Sequence, residues 1–418
     1  MNRTVRTLLV LASASAIAVV AHAATSEVEV LHWWTAGGEA KSVGELKKML
    51  EAKGDTWKDF AVAGGGGENA MTVLKTRVVS GNPPAAAQIK GPTIQEWGDE
   101  GVLASIDDVA HAGNWDKVLP PIVADIMKYK GHYVAAPVNV HRNNWLWVNP
   151  ALFARAGAKV PTNFDEFFAA ADKLQKLGVI PVAQGGQPWQ DATMFESVTL
   201  GVGGVDFYKR AFMKLDRSAI NSPTMIKVLE TYKRIKPYTD KNTAGRDWNL
   251  ATGLVINGKA GMQFMGDWAK GEFLAAGKQP GKDFVCVAAP STANAFLFNI
   301  DSFVMFKQPH KDAEKGQRDL ATTLMSPQFQ EIFNLNKGSI PVRANADMHK
   351  FDSCAQQSAR DFVADDHAGT LLPSWAHGMA LHQSVAGALQ DVVSSYWNSD
   401  HMTAREAQAK LAAALTSQ

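Results

Sequence analysis

The amino-acid sequence predicts an α/β fold in which doubly wound, mainly parallel sheets are flanked by helices. Two observations predict it. The chain begins with a strand–helix–strand–helix–strand series, and strand and helix patterns keep alternating along its 418 residues. Such a series gives parallel strands, because each helix returns the chain across the sheet before the next strand begins. The length is sufficient for about two to three domains with a large core.

The opening series can be followed element by element. The segment VEVLHWW (28–34) alternates apolar and polar residues and predicts a strand. Residues 39–53 form an amphipathic pattern, with Val43, Leu46 and Leu50 on one helix face and lysines opposite. A second strand follows in WKDFAVAG, then a glycine turn and helix in GGGGENAMTVLKTRVVSG, and a third strand in NPPAAAQIKG.

The later elements are predicted in the same way. Further helices are expected at Pro121–Lys128, Asn163–Leu177, Pro223–Tyr238, Asp312–Met325 and Thr403–Ala414, the last with Thr403 as its N-cap. Further strands are expected in HYVAAPVNV, KDFVCVAAP and NAFLFNIDSFVMF. We find no fixed-period repeat and no low-complexity tail.

Composition narrows the classes of partner. The net charge is +1 and the sequence has no basic stripe, so nucleic acid and anionic membrane surfaces are poor partners. The 12 Trp exceed the 6 Tyr, which argues against an iron carrier that uses paired tyrosinates. The two cysteines, Cys286 and Cys354, could form one disulfide or stay as buried thiols. The glycine turn at 64–67 lacks the spacing of a phosphate loop.

Residues 1–23 have the pattern of an export signal. The start is basic, residues 7–20 are apolar but too short for a stable membrane span, and Ala21-His22-Ala23 is a small-x-small cleavage pattern. No cysteine follows that could carry a lipid. The sequence therefore predicts a secreted periplasmic protein whose mature chain begins at Ala24.

Three segments resemble, in the same order, the signatures of the extracellular solute-binding proteins of sugar ABC transporters. Ser80–Asp107 contains the matching GNPP, Trp97 and closing SID, although Ala85 stands where that family usually has Asp. Tyr133–Gly157 is similar to the crossover into the second domain, and Asn257–Gly271 to a later glycine–tryptophan signature. Within the family, HWWTAGGE and LNKGSIPVR look most like the glucose/mannose-binding branch.

The resemblance implies two α/β lobes joined by two or three crossing strands, with a sugar bound between them. We place the N-terminal lobe at 24–136 plus 296–340 and the C-terminal lobe at 137–295 plus 341–418, with crossings near Pro137 and 295–299. It further implies a monomer that closes on a monosaccharide, most simply D-glucose, and delivers it to the membrane permease of an ABC importer.

Aromatic side chains are the first candidates for contact with a sugar, because their flat faces pack against the C–H face of a pyranose ring. Trp33 and Trp34 follow the first strand and point to opposite sides of it, so one could contact ligand while the other packs inward. Trp268 matches the stacking aromatic of the opposite lobe in the resembling family.

Polar candidates are residues that packing alone explains poorly. Lys90 ends an apolar stretch at the carboxyl edge of a predicted strand, where doubly wound sheets bind ligands. Asn299 and Asp301 share one face of an apolar strand, which is unfavourable unless something pairs with them. Glu39 either contacts ligand or compensates the dipole at the start of the first helix.

Further candidates depend more on the resemblance. Lys337 is expected on a loop before the second crossing. A lone His such as His377 is commonly a core group, but the match to the glucose-binding branch makes it a ligand candidate. Glu68, Asn69 and Asp267 are additional candidates for which helix capping is the alternative.

An enzyme is the main alternative class. A glycoside hydrolase needs two carboxylates about 5–9.5 Å apart across a cleft, and Glu39, Asp267 and Asp301 could meet in that way. Ammonium groups from Lys90 and Lys337 would lower the pKa values of those carboxyls and leave no protonated acid. Neither a G-x-S-x-G elbow nor an H-E-x-x-H zinc pattern occurs. The sequence predicts a binding protein without cofactor or metal.

The length of the sugar is left open. Trp145, Trp189 and Trp248 could provide platforms for a longer oligosaccharide. A phosphorylated ligand would call for arginine, which the candidate set lacks.

Overall fold

A computed structural model describes residues 26–309 and 311–415. The predicted export signal and its cleavage site lie outside the described residues. The strands, in chain order, are β1 (Glu27–His32), β2 (Thr56–Ala61), β3 (Ala86–Ile89), β4 (Lys128–Tyr129), β5 (His132–Tyr133), β6 (Ala135–Arg142), β7 (Trp145–Val148), β8 (Ile180–Val182), β9 (Ala260–Phe264), β10 (Val285–Ala288), β11 (Phe296–Met305) and β12 (Leu371–Pro373).

Helices follow most of the strands. They are α1 (Gly37–Glu51), α2 (Glu68–Val79), α3 (Thr93–Asp99), α4 (Asp107–Ala112), α5 (Trp115–Val118), α6 (Pro121–Ile126), α7 (Pro150–Ala156), α8 (Phe164–Lys176), α9 (Pro188–Tyr208), α10 (Arg217–Ile220), α11 (Pro223–Ile235), α12 (Trp248–Ile256), α13 (Ala269–Ala275), α14 (Lys311–Leu324), α15 (Pro327–Lys337), α16 (Ser353–Ala368), α17 (Gln383–Asn398) and α18 (Ala404–Ala414). In the described part of the chain, no helix has the length and apolar character of a membrane span.

The first sheet contains six strands in the order β12-β11-β3-β1-β2, with β6 paired along β11. The pairs β1–β2 and β1–β3 are parallel, as the opening series predicts. The pairs of β11 with β3 and β6 are antiparallel. Strands β1, β2, β3 and β6 therefore run in one direction, and β11 and β12 run in the other.

The second sheet contains four strands in the order β10-β7-β9-β8. Strands β8 and β9 are parallel, whereas β7 is antiparallel to both of its neighbours. The chain passes from the first sheet to the second between β6 and β7, and returns between β10 and β11. Two sheets flanked by helices confirm the predicted α/β fold class, although parallel pairs outnumber antiparallel pairs only in the first sheet. The exact lobe boundaries stay a prediction.

The predicted elements occur with small shifts at their ends. Helix α18 begins with the expected cap: the Thr403 hydroxyl accepts from the backbone N–H of Glu406, whose side chain accepts in return from Thr403. The prediction of a loop at Lys337 is wrong, because α15 continues to that residue and ends at Gly338, whose φ of 94° is the left-handed conformation of a helix C-terminus.

A disulfide joins the second sheet to a later helix. Cys286 on β10 and Cys354 in the first turn of α16 are bonded, with their Cα atoms 6.1 Å apart. Of the two alternatives that the sequence leaves open, the structure has the disulfide. The bond restricts the unfolded chain over a separation of 68 residues.

Replacing both cysteines by serine is expected to lower the free energy of unfolding by about 2–4 kcal/mol, because the unfolded chain regains the entropy of an open loop. Urea unfolding without reductant measures the difference. Dithiothreitol should lower the midpoint of the wild-type protein and leave that of the double variant unchanged. Two titratable thiols in the oxidised, denatured wild-type protein would contradict the disulfide.

Candidate functional site

Strand ends from both sheets converge on one cavity. Trp33 and Trp34 follow the carboxyl end of β1, and Lys90 follows that of β3. Across the cavity, Trp189 lies beyond the end of β8 and Trp268 beyond that of β9. Parallel strands end at the same edge of a sheet, which is where α/β folds place ligands.

We call this space the central cavity. The empty space between its walls measures about 360 Å³, a figure that includes the mouth open to solvent. Its lining residues are Trp33, Trp34, Glu39, Gly65, Gly66, Lys90, His141, Trp189, Trp248, Trp268, Asn299, Asp301, Lys337 and His377.

The tryptophans form the walls of the central cavity. Trp34 packs inward, with its ring centroid 5.5 Å from that of Phe303 and 5.1 Å from that of Phe333. Trp33 carries the Lys90 ammonium group 5.1 Å from its centroid. Trp34 therefore packs mainly against the core, and Trp33 forms a wall of the cavity, although both residues line it.

Asp301 lies at the centre of a buried polar chain. Its Oδ2 is 3.0 Å from Nε2 of His141, and its Oδ1 accepts from Nε2 of Gln88 at 3.2 Å. On the other side of the ring, His141 Nδ1 makes a short contact with Asp267. Asp267 also accepts from the backbone N–H of Arg142 at 3.0 Å. The imidazole thus bridges Asp301 on β11 of the first sheet and Asp267, which follows β9 of the second sheet.

Neighbouring charges determine the protonation states of Asp301 and His141. Burial alone would raise the pKa of Asp301, but the hydrogen bond and charge of His141, with Lys90 and Lys337, hold that pKa well below its ordinary value. Burial likewise disfavours a charged His141, yet Asp267 and Asp301 outweigh it and raise the pKa of the ring. Asp301 is therefore an ionised acceptor at neutral pH.

A second ion pair closes one end of the central cavity. Lys337 Nζ is 2.6 Å from Oε1 of Glu39, and the ammonium group lies 5.8 Å from the ring centroid of Trp34. Glu39 also accepts from the backbone N–H of Ala36 at 3.4 Å. Glu39 therefore lies at the start of α1, where its charge compensates the helix dipole, and it also lines the cavity, so that contact with a ligand stays a prediction.

Two groups in the central cavity have spare hydrogen-bonding capacity. Oδ1 of Asn299 is buried and has no partner among the described residues. Nζ of Lys90 makes one long hydrogen bond, at 3.5 Å, to the carbonyl oxygen of Gly66. Burial lowers the pKa of Lys90, against the opposing charges of Asp301 and Glu68. Both groups can pair with a ligand.

The glycine turn closes the cavity by close approach of its backbone. A Cβ at Gly65 would lie 2.7 Å from the Trp189 ring and 2.9 Å from that of Trp248. Only a residue without a side chain fits between these rings.

The arrangement suits a neutral ligand with many hydroxyl groups. Each hydroxyl is both donor and acceptor, and the central cavity offers acceptors and donors against aromatic walls. Among the described residues, no group of three or more His, Cys, Asp or Glu side chains is placed to hold a metal ion.

Residues 40–326 match the family model of the bacterial extracellular solute-binding proteins. The chain belongs to this family. A probable sugar-binding periplasmic protein of Brucella melitensis is 50% identical over 371 residues, which cover 89% of this chain and 88% of that protein. A probable sugar-binding periplasmic protein of Rhizobium meliloti is 47% identical, with 96% of each chain covered.

A solved chitin oligosaccharide binding protein has the same fold. It superposes with a TM-score of 0.79 at 17% identity, covering 94% of this chain and 98% of that one. The solute-binding protein described here thus has the two-lobed α/β fold.

A second cavity adjoins the central cavity in this solute-binding protein. Its empty space measures about 630 Å³, including space open to solvent, and it shares Trp33, Gly66, Lys90 and His377 with the central cavity. Residues of α2, among them Glu68, and of the first half of α17 also line it.

All nine principal site residues predicted from the sequence line the central cavity. They are Trp33, Trp34, Glu39, Lys90, Trp268, Asn299, Asp301, Lys337 and His377. Of the three additional candidates, Glu68 lines only the second cavity. Asn69 lies outside both cavities and donates to the carbonyl oxygen of Ala63, and Asp267 lies behind His141.

The sequence reasoning missed His141. Its signal was the alternation of Asn139 and His141 with the apolar residues of β6, the same signal that identified Asn299 and Asp301. Trp189 and Trp248, considered only as platforms for longer sugars, also line the central cavity. Trp145 does not, because its ring packs against the guanidinium group of Arg142 at 4.3 Å.

Proposed function

We propose that this protein binds a monosaccharide, most readily D-glucose, in the periplasm and delivers it to the permease of an ABC importer. The central cavity carries the proposal, since tryptophan walls surround a mixed set of ionised and amide groups. Relatives about half identical to this chain are described as probable sugar-binding periplasmic proteins. The segments HWWTAGGE and LNKGSIPVR support the glucose/mannose-binding branch.

The chemistry of the central cavity favours a hexose ring. A pyranose presents apolar C–H faces to aromatic rings and hydroxyl groups around its edge. Asp301 and the free oxygen of Asn299 would accept from these hydroxyls, and Lys90 would donate to them. Micromolar affinity, about −8 kcal/mol, lies within the reach of such a set without a metal.

Closure of the two lobes would complete the site. Residues after β1 and β3 face residues after β8 and β9, so each sheet supplies part of the lining. A sugar that binds one lobe first would gain the contacts of the other only on closure, which makes the closed form the one that ligand favours. The lobes we propose are 24–136 plus 296–340 and 137–295 plus 341–418.

Binding is favoured over hydrolysis by the state of the carboxyl groups. Glu39 is paired with Lys337, and Asp301 with His141. The pKa of Asp301 is held low by the hydrogen bond and charge of His141 against the effect of burial, so this group cannot serve as a protonated acid at neutral pH. This supports the proposal of a binding protein over a glycoside hydrolase.

A longer oligosaccharide is the second candidate, and the second cavity is the observation that favours it. Its shared wall of Trp33, Lys90 and His377 would let a sugar ring in the central cavity continue outward.

Isothermal titration calorimetry of the mature protein with D-glucose, D-mannose, D-galactose and maltose tests the proposal. We expect saturable one-to-one binding of glucose and no heat with maltose. Maltose binding without glucose binding would replace the monosaccharide by the oligosaccharide. Absence of heat with all four sugars would contradict both candidates.

A further inference from the structure

We propose that Glu196, which lies outside the central cavity, is a positioning residue for the binding site. Its buried carboxylate holds the segment Ser374–His377 so that the ring of His377 presents Nδ1 to the sugar as a hydrogen-bond acceptor. The inference rests on the proposed function, because it assigns a role within the same site.

The carboxylate of Glu196 accepts hydrogen bonds from the segment Ser374–His377 and from Tyr208 on α9. Oε2 accepts from the Ser374 hydroxyl at 2.6 Å. Oε1 accepts from the backbone N–H of Trp375 at 2.8 Å and from that of Ala376 at 3.3 Å. The Tyr208 hydroxyl donates to the same oxygen at 2.6 Å. Glu196 is fully buried on α9, so this set is shielded from water.

Ser374 connects Glu196 to the backbone of His377 through hydrogen bonds. Its hydroxyl oxygen accepts from the backbone N–H of His377 at 3.1 Å. Its own N–H donates to the carbonyl oxygen of Phe298 on β11 at 2.9 Å. The segment is thereby fixed between α9 and the first sheet, and the position of the His377 backbone depends on Glu196.

Thr193, also on α9, defines the tautomer of His377. The Thr193 hydroxyl donates its one proton to the carbonyl oxygen of Trp189 at 2.8 Å. Its oxygen lies 2.9 Å from Nε2 of His377, and with its proton directed to that carbonyl it accepts there, which places the imidazole proton on Nε2. Nδ1 is then an acceptor, and it has no hydrogen-bond partner among the described residues.

The ring of His377 is neutral and well packed. Burial lowers the pKa of His377 well below its ordinary value, and the charges of Lys90 and His141 add to that effect. The ring meets Trp268 edge-on, with centroids 5.0 Å apart, and Trp189 in the same way at 6.0 Å. A neutral acceptor held between two cavity walls complements the ammonium donors nearby.

The protonation of Glu196 gives the arrangement a pH dependence. Burial raises the pKa of Glu196 to about 7, although the four hydrogen bonds oppose that rise. Tyr208 is the titratable group in direct contact, and burial and the Glu196 charge raise its pKa well above its ordinary value, so it stays a donor. Protonated Glu196 competes with Ser374 as a donor and loosens the segment. Affinity should therefore fall as pH is lowered through about 7.

Asp191 provides a matched control on the same helix. Burial raises its pKa to about 7 as well. Its carboxylate contacts the side chains of Gln184 and Ser394, and it makes no contact with the segment Ser374–His377. Asp191→Asn thus changes an equivalent buried carboxyl without touching the anchor of His377.

The test is glucose titration calorimetry from pH 6 to pH 8 on the wild type, Glu196→Gln, Asp191→Asn and Tyr208→Phe. At pH 8 we expect Glu196→Gln to weaken binding about tenfold, because the charge is lost and the amide NH₂ replaces the oxygen that accepts from the Ser374 hydroxyl. Tyr208→Phe should weaken binding less, because the carboxylate keeps its bonds to Ser374, Trp375 and Ala376. Glu196→Gln should also lose the decline in affinity toward pH 6, which Asp191→Asn retains. Wild-type affinity and an unchanged pH profile in Glu196→Gln would overturn the proposal.

Nitrogen-15 NMR of the histidine rings gives a readout that needs no ligand. In the unliganded wild type we expect His377 with a protonated Nε2 and an unprotonated Nδ1, and in Glu196→Gln a mixture of tautomers. An unchanged His377 pattern in Glu196→Gln would contradict the positioning role. If the wild type binds no sugar, the proposed function fails while this spectrum still decides whether Glu196 orders His377.

Discussion

Replacing Asp301 by asparagine is expected to weaken the binding of D-glucose by about 10- to 150-fold, the range for losing a hydrogen bond to a buried charged group. The carboxylate is buried, accepts from His141 and Gln88, and faces the ammonium groups of Lys90 and Lys337. Asparagine keeps the size but has one acceptor oxygen. Either His141 or a sugar hydroxyl then loses its partner, and two nearby cations lose their counter-charge.

Calorimetry on purified Asp301→Asn measures this loss, with Asp108→Asn as the matched control. Asp108 pairs with Arg318 at the surface, so its replacement should leave the affinity for glucose unchanged. Equal affinities of Asp301→Asn and the wild type would remove Asp301 from the binding site. Circular dichroism of both variants separates loss of binding from loss of fold.

Replacing Arg142 by methionine is expected to lower the free energy of unfolding by about 3 kcal/mol, because it strands a partly buried carboxylate. The guanidinium group pairs with Asp361 and lies 4.3 Å from the Trp145 ring and 5.0 Å from that of Phe296. It also donates to the carbonyl oxygen of Ala295 at 3.5 Å. Arg142 therefore joins the two chain segments that pass between the sheets.

Urea unfolding of three variants separates the parts of this effect. Arg142→Met with Asp361→Asn should recover part of the loss, since no charge remains unpaired. Arg318→Met, which breaks the exposed pair with Asp108, should cost no more than about 1 kcal/mol. A midpoint of Arg142→Met equal to that of Arg318→Met would show that the buried pair does not stabilise the crossing segments.

The sequence predicted those parts of the fold in which apolar residues recur with the period of a strand or of a helix. Strand β1 alternates apolar and polar residues, β11 is mostly apolar and buried throughout, and α8 and α11 each have one apolar face. Helix α9 was not predicted, because it is buried on all sides through Leu200 and has no polar face to reveal a helical period. Its burial is also why it can carry Glu196 and Thr193 beneath the site.

The site was predictable where a polar residue stood in an apolar strand or at a strand end, as with Lys90, Asn299 and Asp301. It was not predictable where the role arises from residues distant in the chain. His141 gains its place from Asp267 and Asp301, and Glu196 from a segment about 180 residues later, with separations of 126, 160 and 178 to 180 positions. No local pattern in the sequence records such contacts.

A crystal structure of the mature protein grown with D-glucose tests the central claim most directly. We predict one hexose in the central cavity, with its ring against the tryptophan walls and its hydroxyls within hydrogen-bond distance of Asp301, Lys90 and Asn299 Oδ1. Nδ1 of His377 should accept from the sugar. A sugar bound elsewhere, or no sugar at a concentration that saturates calorimetry, would contradict the assignment of this cavity as the binding site.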